Sequence, residues 1–213
     1  MLRTEKQSMK PLPVLATKGL LLLFATVILV GCGASATPEV LPEGVRSIDP
    51  PVQLADFTLT DQQNKPISLH DLVAKASLII FGYTHCPDVC PINLANFRLV
   101  KRALGDKANQ VNFVFVSVDG KRDTPDVLAK HLQLFDAEFI GIMGDDSAIR
   151  PVTQQFGVVY QISTPVAGQS DYGVTHTASS FLVDRQGRLI RNYAYLASPD
   201  IIAADMQQLL KFQ

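Results

Sequence analysis

Two cysteines, Cys86 and Cys90, stand in the run Phe81-Gly-Tyr-Thr-His-Cys-Pro-Asp-Val-Cys-Pro91, directly after the apolar, β-rich stretch 77–81. Phe97, Val100 and Leu104 follow at helical spacing, and Gly105 stands where a helix stop is expected. The pair therefore occupies a strand-to-helix turn. Pro91 sets where the helix begins. Inside a helix its ring would clash with the carbonyl four residues back, whereas at the first position it is tolerated. The pattern predicts a helix over about 91–104, with Cys90 at or beside the cap and Cys86 on the loop ahead. The positive end of the helix dipole then favours a Cys90 thiolate.

The elements around this turn alternate. The segments 57–60 and 66–69, joined by the polar turn 61–65, predict an N-terminal hairpin. A strand is expected over 77–83, a second buried strand over 111–118 and a short one over 139–142. A helix starts at Pro125 behind a Thr124 cap, with Leu128, Leu132 and Phe135 on its apolar face. Another runs from Ser147 to about Phe156, ended by Gly157. The segments 180–184 and 189–195 form a second hairpin, and Ser198-Pro199 opens a last helix with Ile202, Met206, Leu209 and Leu210 inward. This pattern predicts an α/β fold, a central mixed sheet flanked by helices. A cysteine pair between the first long strand and the next helix is the thioredoxin-like arrangement.

The third cysteine, Cys32, closes a leader. Arg3, Lys6, Lys10 and Lys18 precede an apolar run over 20–30, too short for a bilayer core of about 30 Å and suited to a signal peptide. The run ends Leu29-Val-Gly-Cys32, which resembles a bacterial lipobox. Residues 1–31 are expected to be a lipoprotein signal peptide and Cys32 the lipidated residue; a non-cleaved anchor helix is the alternative. Both readings place the domain on the extracytoplasmic face of a membrane, where unprotected thiols oxidise. Residues 32–52, with Pro38, Pro42, Pro50 and Pro51, are expected to be a spacer, and 53–213 the folded domain. Without the leader the chain carries 15 basic and 19 acidic residues, a net −4, and no basic run argues for nucleic acid.

Paired thiols at a turn either hold a soft metal or exchange a disulfide. The three-residue gap is one longer than the redox C-x-x-C spacing and leaves both uses open. A metal needs further ligands. His131 falls inside a helix and His70 at a helix start, where ordinary histidines belong. His85 adjoins Cys86, but adjacent side chains point apart. His176 precedes the strand 180–184, in the loop that faces the cysteines of a thioredoxin-like sheet. No proline stands at 177–179, where thiol reductases carry one. His176 is a candidate third ligand, a plain loop residue being the alternative.

The run Gly82-Tyr-Thr-His-Cys-Pro-Asp-Val-Cys-Pro91 resembles the signature of the Sco/SenC family of copper-binding, thioredoxin-fold proteins. Val116-Ser-Val-Asp119, Arg122-Asp-Thr-Pro125 and the loop 172–176 agree with it, so that the resemblance covers about 53–211. Gly120-Lys121, Thr175 and Asp184-Arg-Gln-Gly187 depart from the family pattern, and none removes a ligand. The resemblance implies Cu(I) or Cu(II) held by Cys86, Cys90 and His176. It also implies a role in supplying the CuA site on subunit II of cytochrome c oxidase, or another copper acceptor. Two thiolates and an imidazole suit Cu(I), whereas Zn(II) in a structural site wants a fourth ligand. The enzymatic alternative is a thiol–disulfide reductase that keeps the acceptor's CuA cysteines reduced, with Cys86 and Cys90 as its redox pair. A peroxiredoxin-like peroxidase would need an arginine beside the thiol, and a purely structural disulfide would close too short a loop to stabilise the chain.

Overall fold

The computed structural model describes residues 40–164 and 172–211. The expected signal segment and Cys32 lie outside the described residues. Among those described, no helix is long and apolar enough to cross a membrane.

The centre of the molecule is β4 (Ala76–Gly82), buried along its whole length. A strand covered on both faces reads as an unbroken apolar run, which is why 77–81 was legible. β4 pairs in parallel with β5 (Val111–Ser117), and β5 with β6 (Ile140–Met143). On its other side β4 pairs antiparallel with β9 (Ser180–Val183), which continues to β10 (Arg188–Tyr193). The expected N-terminal hairpin is present as β2 (Thr58–Asp61) and β3 (Pro66–Ser68), docked on β6. A capping box between Ser68 and Asp71 starts the short α1 (Leu69–Leu72) behind it.

The spacer assigned to 32–52 is shorter than expected. Residues Val45–Gln53 form β1, which pairs antiparallel with β10 and completes an eight-stranded mixed sheet of order β1-β10-β9-β4-β5-β6-β2-β3. Pro50 and Pro51 are compatible with a strand here because β1 is an edge, and the pairing register shifts between Ser47 and Val52, across the two prolines.

α2 (Val89–Leu104) crosses from β4 to β5, and α3 (Pro125–Gln133) from β5 to β6. Phe97 of α2 packs edge-on against Phe113 and Phe139, with ring centroids 5.6 and 5.9 Å away. α5 (Pro199–Leu209) lies along α2 and is tied to β10 by a buried cluster. There Asp205 accepts from the Tyr193 hydroxyl at 2.7 Å and from Arg191 Nε at 3.3 Å. The opposite face carries α4 (Asp146–Gln155) and a second aromatic cluster of Phe81, Phe156 and Phe181. A separate two-stranded ribbon, β7 (Tyr160–Ile162) with β8 (Val174–His176), stands outside the main sheet. The whole is a thioredoxin-like fold.

This topology builds one functional edge. The cysteine loop leaves the C-terminal end of β4 and residues 118–124 leave that of β5. Ser180 opens β9 opposite Ile80 near the end of β4, so the segment just ahead of β9 reaches the same edge. Ligands in open α/β sheets gather at the carboxyl ends of the parallel strands.

Candidate metal centre

Cys86 lies on the loop after β4 and Cys90 in the first turn of α2. The helix begins at Val89, two residues before the expected start, which puts Pro91 at its third position. The first N–H groups of a helix have no intrahelical acceptor, so a proline there loses nothing. Both residues are buried, Cys86 at 7% exposure and Cys90 at 1%, and both are free thiols.

Gly82, the last residue of β4, makes this possible. A Cβ at this position would stand 2.7 Å from Cys90 Sγ and 3.0 Å from the Phe115 ring. The glycine is a feature of the site that spacing arguments pass over, although its place at the strand end beside the pair is a usable signal.

His176 is carried by a strand and not by a loop as expected. It ends β8, with Tyr160 of β7 directly opposite. Its Nδ1 lies 3.0 Å from the Thr177 carbonyl oxygen. A carbonyl only accepts, so Nδ1 carries the proton and Nε2 presents its lone pair. Cys90 Sγ stands 3.3 Å from that Nε2. The Tyr83 ring meets the imidazole edge-on at 5.9 Å. Asn93, buried in α2, donates from Nδ2 to the Ala178 carbonyl at 3.0 Å and holds the chain beyond His176 against the helix that bears Cys90.

The donor atoms of Cys86, Cys90 and His176 lie within 4.8 Å of one another, and among the described residues no fourth histidine, cysteine or carboxylate joins them. Metal–sulfur bonds of about 2.3 Å place two sulfurs about 4 Å apart around a trigonal ion, so the set fits one soft ion with little rearrangement. Burial lowers the His176 pKa and keeps the imidazole neutral, the form that coordinates. Burial also pushes the Cys90 thiol well above its usual pKa. This corrects the expectation of a dipole-favoured thiolate, because desolvation in a residue only 1% exposed outweighs the helix terminus.

The remaining histidines stay out of the group. His85 is half-exposed, with Nδ1 3.1 Å from Thr84 Oγ1 and 3.8 Å from Asp123. His131 packs against Phe115 and Phe135, and His70 is exposed on α1. Thr84 gives its hydroxyl hydrogen to Asp123 at 2.6 Å rather than to a thiol.

Asp119 and Asp123, both fully buried, come from the stretch 116–125, whose role was not legible. Asp123 accepts from the Thr84 amide at 3.0 Å and the Ser117 hydroxyl at 2.6 Å, which pins the cysteine loop. Asp119 accepts from Arg122 Nε at 2.5 Å and the Tyr172 hydroxyl at 2.6 Å.

Comparison with known proteins agrees with this architecture. The SCO1/SenC family model matches residues 46–211. A SCO2-like protein of Rickettsia prowazekii is 34% identical over 155 residues, 73% of this chain and 74% of its own length. The structure of Bradyrhizobium japonicum ScoI with copper bound is 38% identical, with a TM-score of 0.67 over 74% of this chain and 99% of that one. The apo Sco1 protein of Thermus thermophilus is 37% identical, with a TM-score of 0.69 over 76% of this chain and 94% of its own. With its cysteine turn, its histidine strand and four-fifths of its length accounted for in this way, the chain belongs to the SCO1/SenC family.

Proposed function

We propose that this protein carries copper on Cys86, Cys90 and His176 and hands it to an acceptor during assembly of cytochrome c oxidase, the CuA domain of subunit II being the acceptor that fits. It works from the extracytoplasmic face of a bacterial membrane, tied there by a lipid on Cys32. The observation that carries this reading is the donor set, two sulfurs and an imidazole Nε2 within 4.8 Å of one another at one sheet edge. Three soft or borderline ligands suit Cu(I), and an added exogenous ligand suits Cu(II). The copper-bound Bradyrhizobium japonicum relative supports the same cargo.

The state of Cys90 weighs against its serving as the attacking thiol in dithiol exchange. Exchange needs an accessible thiolate, and this thiol is buried and held protonated. A metal ion supplies the charge that displaces the proton, so burial is less of an obstacle to coordination.

The test is anaerobic titration of the reduced full chain in detergent with Cu(I), against a chromophoric chelator. One copper per chain is expected. Cys86→Ser and Cys90→Ser should each abolish tight binding, because one thiolate and one imidazole are too few. His176→Ala should weaken it by about 10–100-fold, taking the losses seen for outer-shell partners as a guide. Wild-type affinity in either serine variant would remove the site. If His176→Ala supports normal oxidase activity at low copper while Cys86→Ser does not, the reductase reading prevails.

A further inference from the structure

His176 is held in a different way from the two sulfurs. The cysteines sit on the loop and first turn that follow the central strand, inside the main body. His176 sits at the end of β8, whose only strand partner among the described residues is β7. The ribbon's position therefore depends on the side chains that fasten it.

One fastening lies four residues before the ligand. The Tyr172 hydroxyl donates to Asp119 Oδ1 at 2.6 Å. Arg122 donates from Nε to Asp119 Oδ2 at 2.5 Å and from Nη1 to the Tyr172 carbonyl at 2.9 Å. The same guanidinium stacks 3.7 Å over the Tyr172 ring and lies 5.6 Å from the ring of Tyr83, the neighbour of the cysteine loop. Asp119 is fully buried, so its charge is presented to these two donors and not to water. The cluster continues inward. The Asp119 amide donates to Ser117 Oγ, and Ser117 donates to Asp123, the carboxylate that pins Thr84 two residues before Cys86. One chain of buried and half-buried hydrogen bonds thus joins the histidine arm to the cysteine loop.

We infer that Tyr172, latched by Asp119 and Arg122, is a positioning residue that governs how long His176 stays on the copper ion, and hence how readily the ion is released. The inference rests on the ligand assignment proposed above. With the latch closed, the ribbon presents Nε2 to the ion beside both sulfurs. With the latch open, the Tyr172 end of β8 is freed while Asn93 still holds Ala178, so β8 pivots there and the ion is left on Cys86 and Cys90 with one position free for an incoming ligand. Transfer then proceeds by ligand exchange, in which an acceptor donor takes the place of Nε2 before the sulfurs let go. No electron moves and no covalent bond is made. Tyr172 keeps its proton throughout, since burial and the Asp119 carboxylate push its hydroxyl up to about 12.

The experiment measures the rate at which the Cu(I)-loaded full chain gives up its metal to excess bathocuproine disulfonate. Tyr172→Phe keeps the ring on Arg122 and removes only the hydroxyl; it should release copper about tenfold faster. Tyr172→Ala removes both side-chain contacts, keeping only the carbonyl's bond to Arg122, and should release faster still, without exceeding His176→Ala. The signature is non-additivity, because Tyr172 acts through His176. The double variant Tyr172→Ala/His176→Ala should release no faster than His176→Ala alone. In the Cu(II) form, Tyr172→Ala should weaken the nitrogen hyperfine coupling that the imidazole gives and keep the sulfur-to-copper absorption. Should Tyr172→Ala fail to fold, Tyr172→Phe with the same double variant decides. Wild-type release from Tyr172→Phe, or rates that multiply in the double variant, overturns the latch and leaves the ligand assignment standing. Wild-type release from His176→Ala overturns both.

Discussion

A thiolate on Cys90 would have to form in a residue only 1% exposed, in the first turn of α2 and against the last residue of β4. Desolvation of that charge is what holds the thiol protonated. Metal affinity is therefore linked to pH. At neutral pH the incoming ion must displace the Cys90 proton, so the apparent affinity should rise with pH, by about tenfold per unit for each proton released. His176 does not oppose this trend, since burial lowers its pKa and leaves no imidazole proton to displace above the ordinary histidine range. Copper titrations of the reduced protein at pH 6, 7 and 8 check the slope. A flat profile would mean that a thiolate already exists in the metal-free protein. Gly82 belongs to the same argument, because a methyl group there would move the very sulfur whose burial sets the slope.

At the scale of elements, β1 changes what the minimal protein is. Val45 and Tyr193 are paired Cα partners at one end of the β1–β10 ladder, and Gln53 and Arg188 at the other. A chain beginning at residue 54 exposes the backbone of β10 as a long new edge and strips Val45 and Ile48 from the core margin. Such a fragment should unfold at a lower temperature than one beginning at Val40. In a domain of this size about 1 kcal/mol corresponds to roughly 2–4 °C. Thermal melts of the two fragments followed by circular dichroism make the comparison, and equal melting temperatures would show that β1 adds nothing. β1 was not legible because Val45-Arg-Ser-Ile-Asp-Pro-Pro-Val-Gln53 carries two charged residues, Arg46 and Asp49, and two prolines, and an edge strand pairs through backbone groups that leave no mark on composition. β4 and β5 were legible because burial on both faces writes an apolar run. The cysteine turn was legible from local spacing, and His176 from its place ahead of β9. The Asp119, Arg122 and Tyr172 cluster was not, since it joins residues 50 or more positions apart through side chains that no periodicity connects. Asp205 was hidden for a related reason: it lies among the apolar residues of α5, where its acidity is matched by Arg191 and Tyr193 on another element.

For the molecule as a whole, the register places the chain's way into the domain at the functional edge. β4 ends at Gly82 beside the cysteine loop, β9 begins there at Ser180, β10 ends there at Tyr193, and Val45 pairs with Tyr193. Twelve residues, thirteen Cα-to-Cα steps, separate Cys32 from Val45. Even fully extended they reach no more than about 45 Å. A lipid on Cys32 would then hold the domain near the bilayer, where the acceptor proposed above, a domain of a membrane-bound oxidase subunit, would also be held. Confinement of this kind raises the effective concentration of one partner for the other without any new contact. The reading predicts a mature chain that begins at Cys32, bears lipid, and fractionates with membranes. Cys32→Ser should leave the precursor uncut by the lipoprotein peptidase, with residues 1–31 still attached. In an otherwise wild-type chain exported by a cleavable soluble signal and lacking Cys32, copper affinity should be unchanged, because the ligands are untouched, while oxidase activity at low copper should fall. Mass spectrometry of the purified wild-type chain decides the first part. A lipid-free protein retaining residues 1–31 would sink the anchor and with it the concentration argument.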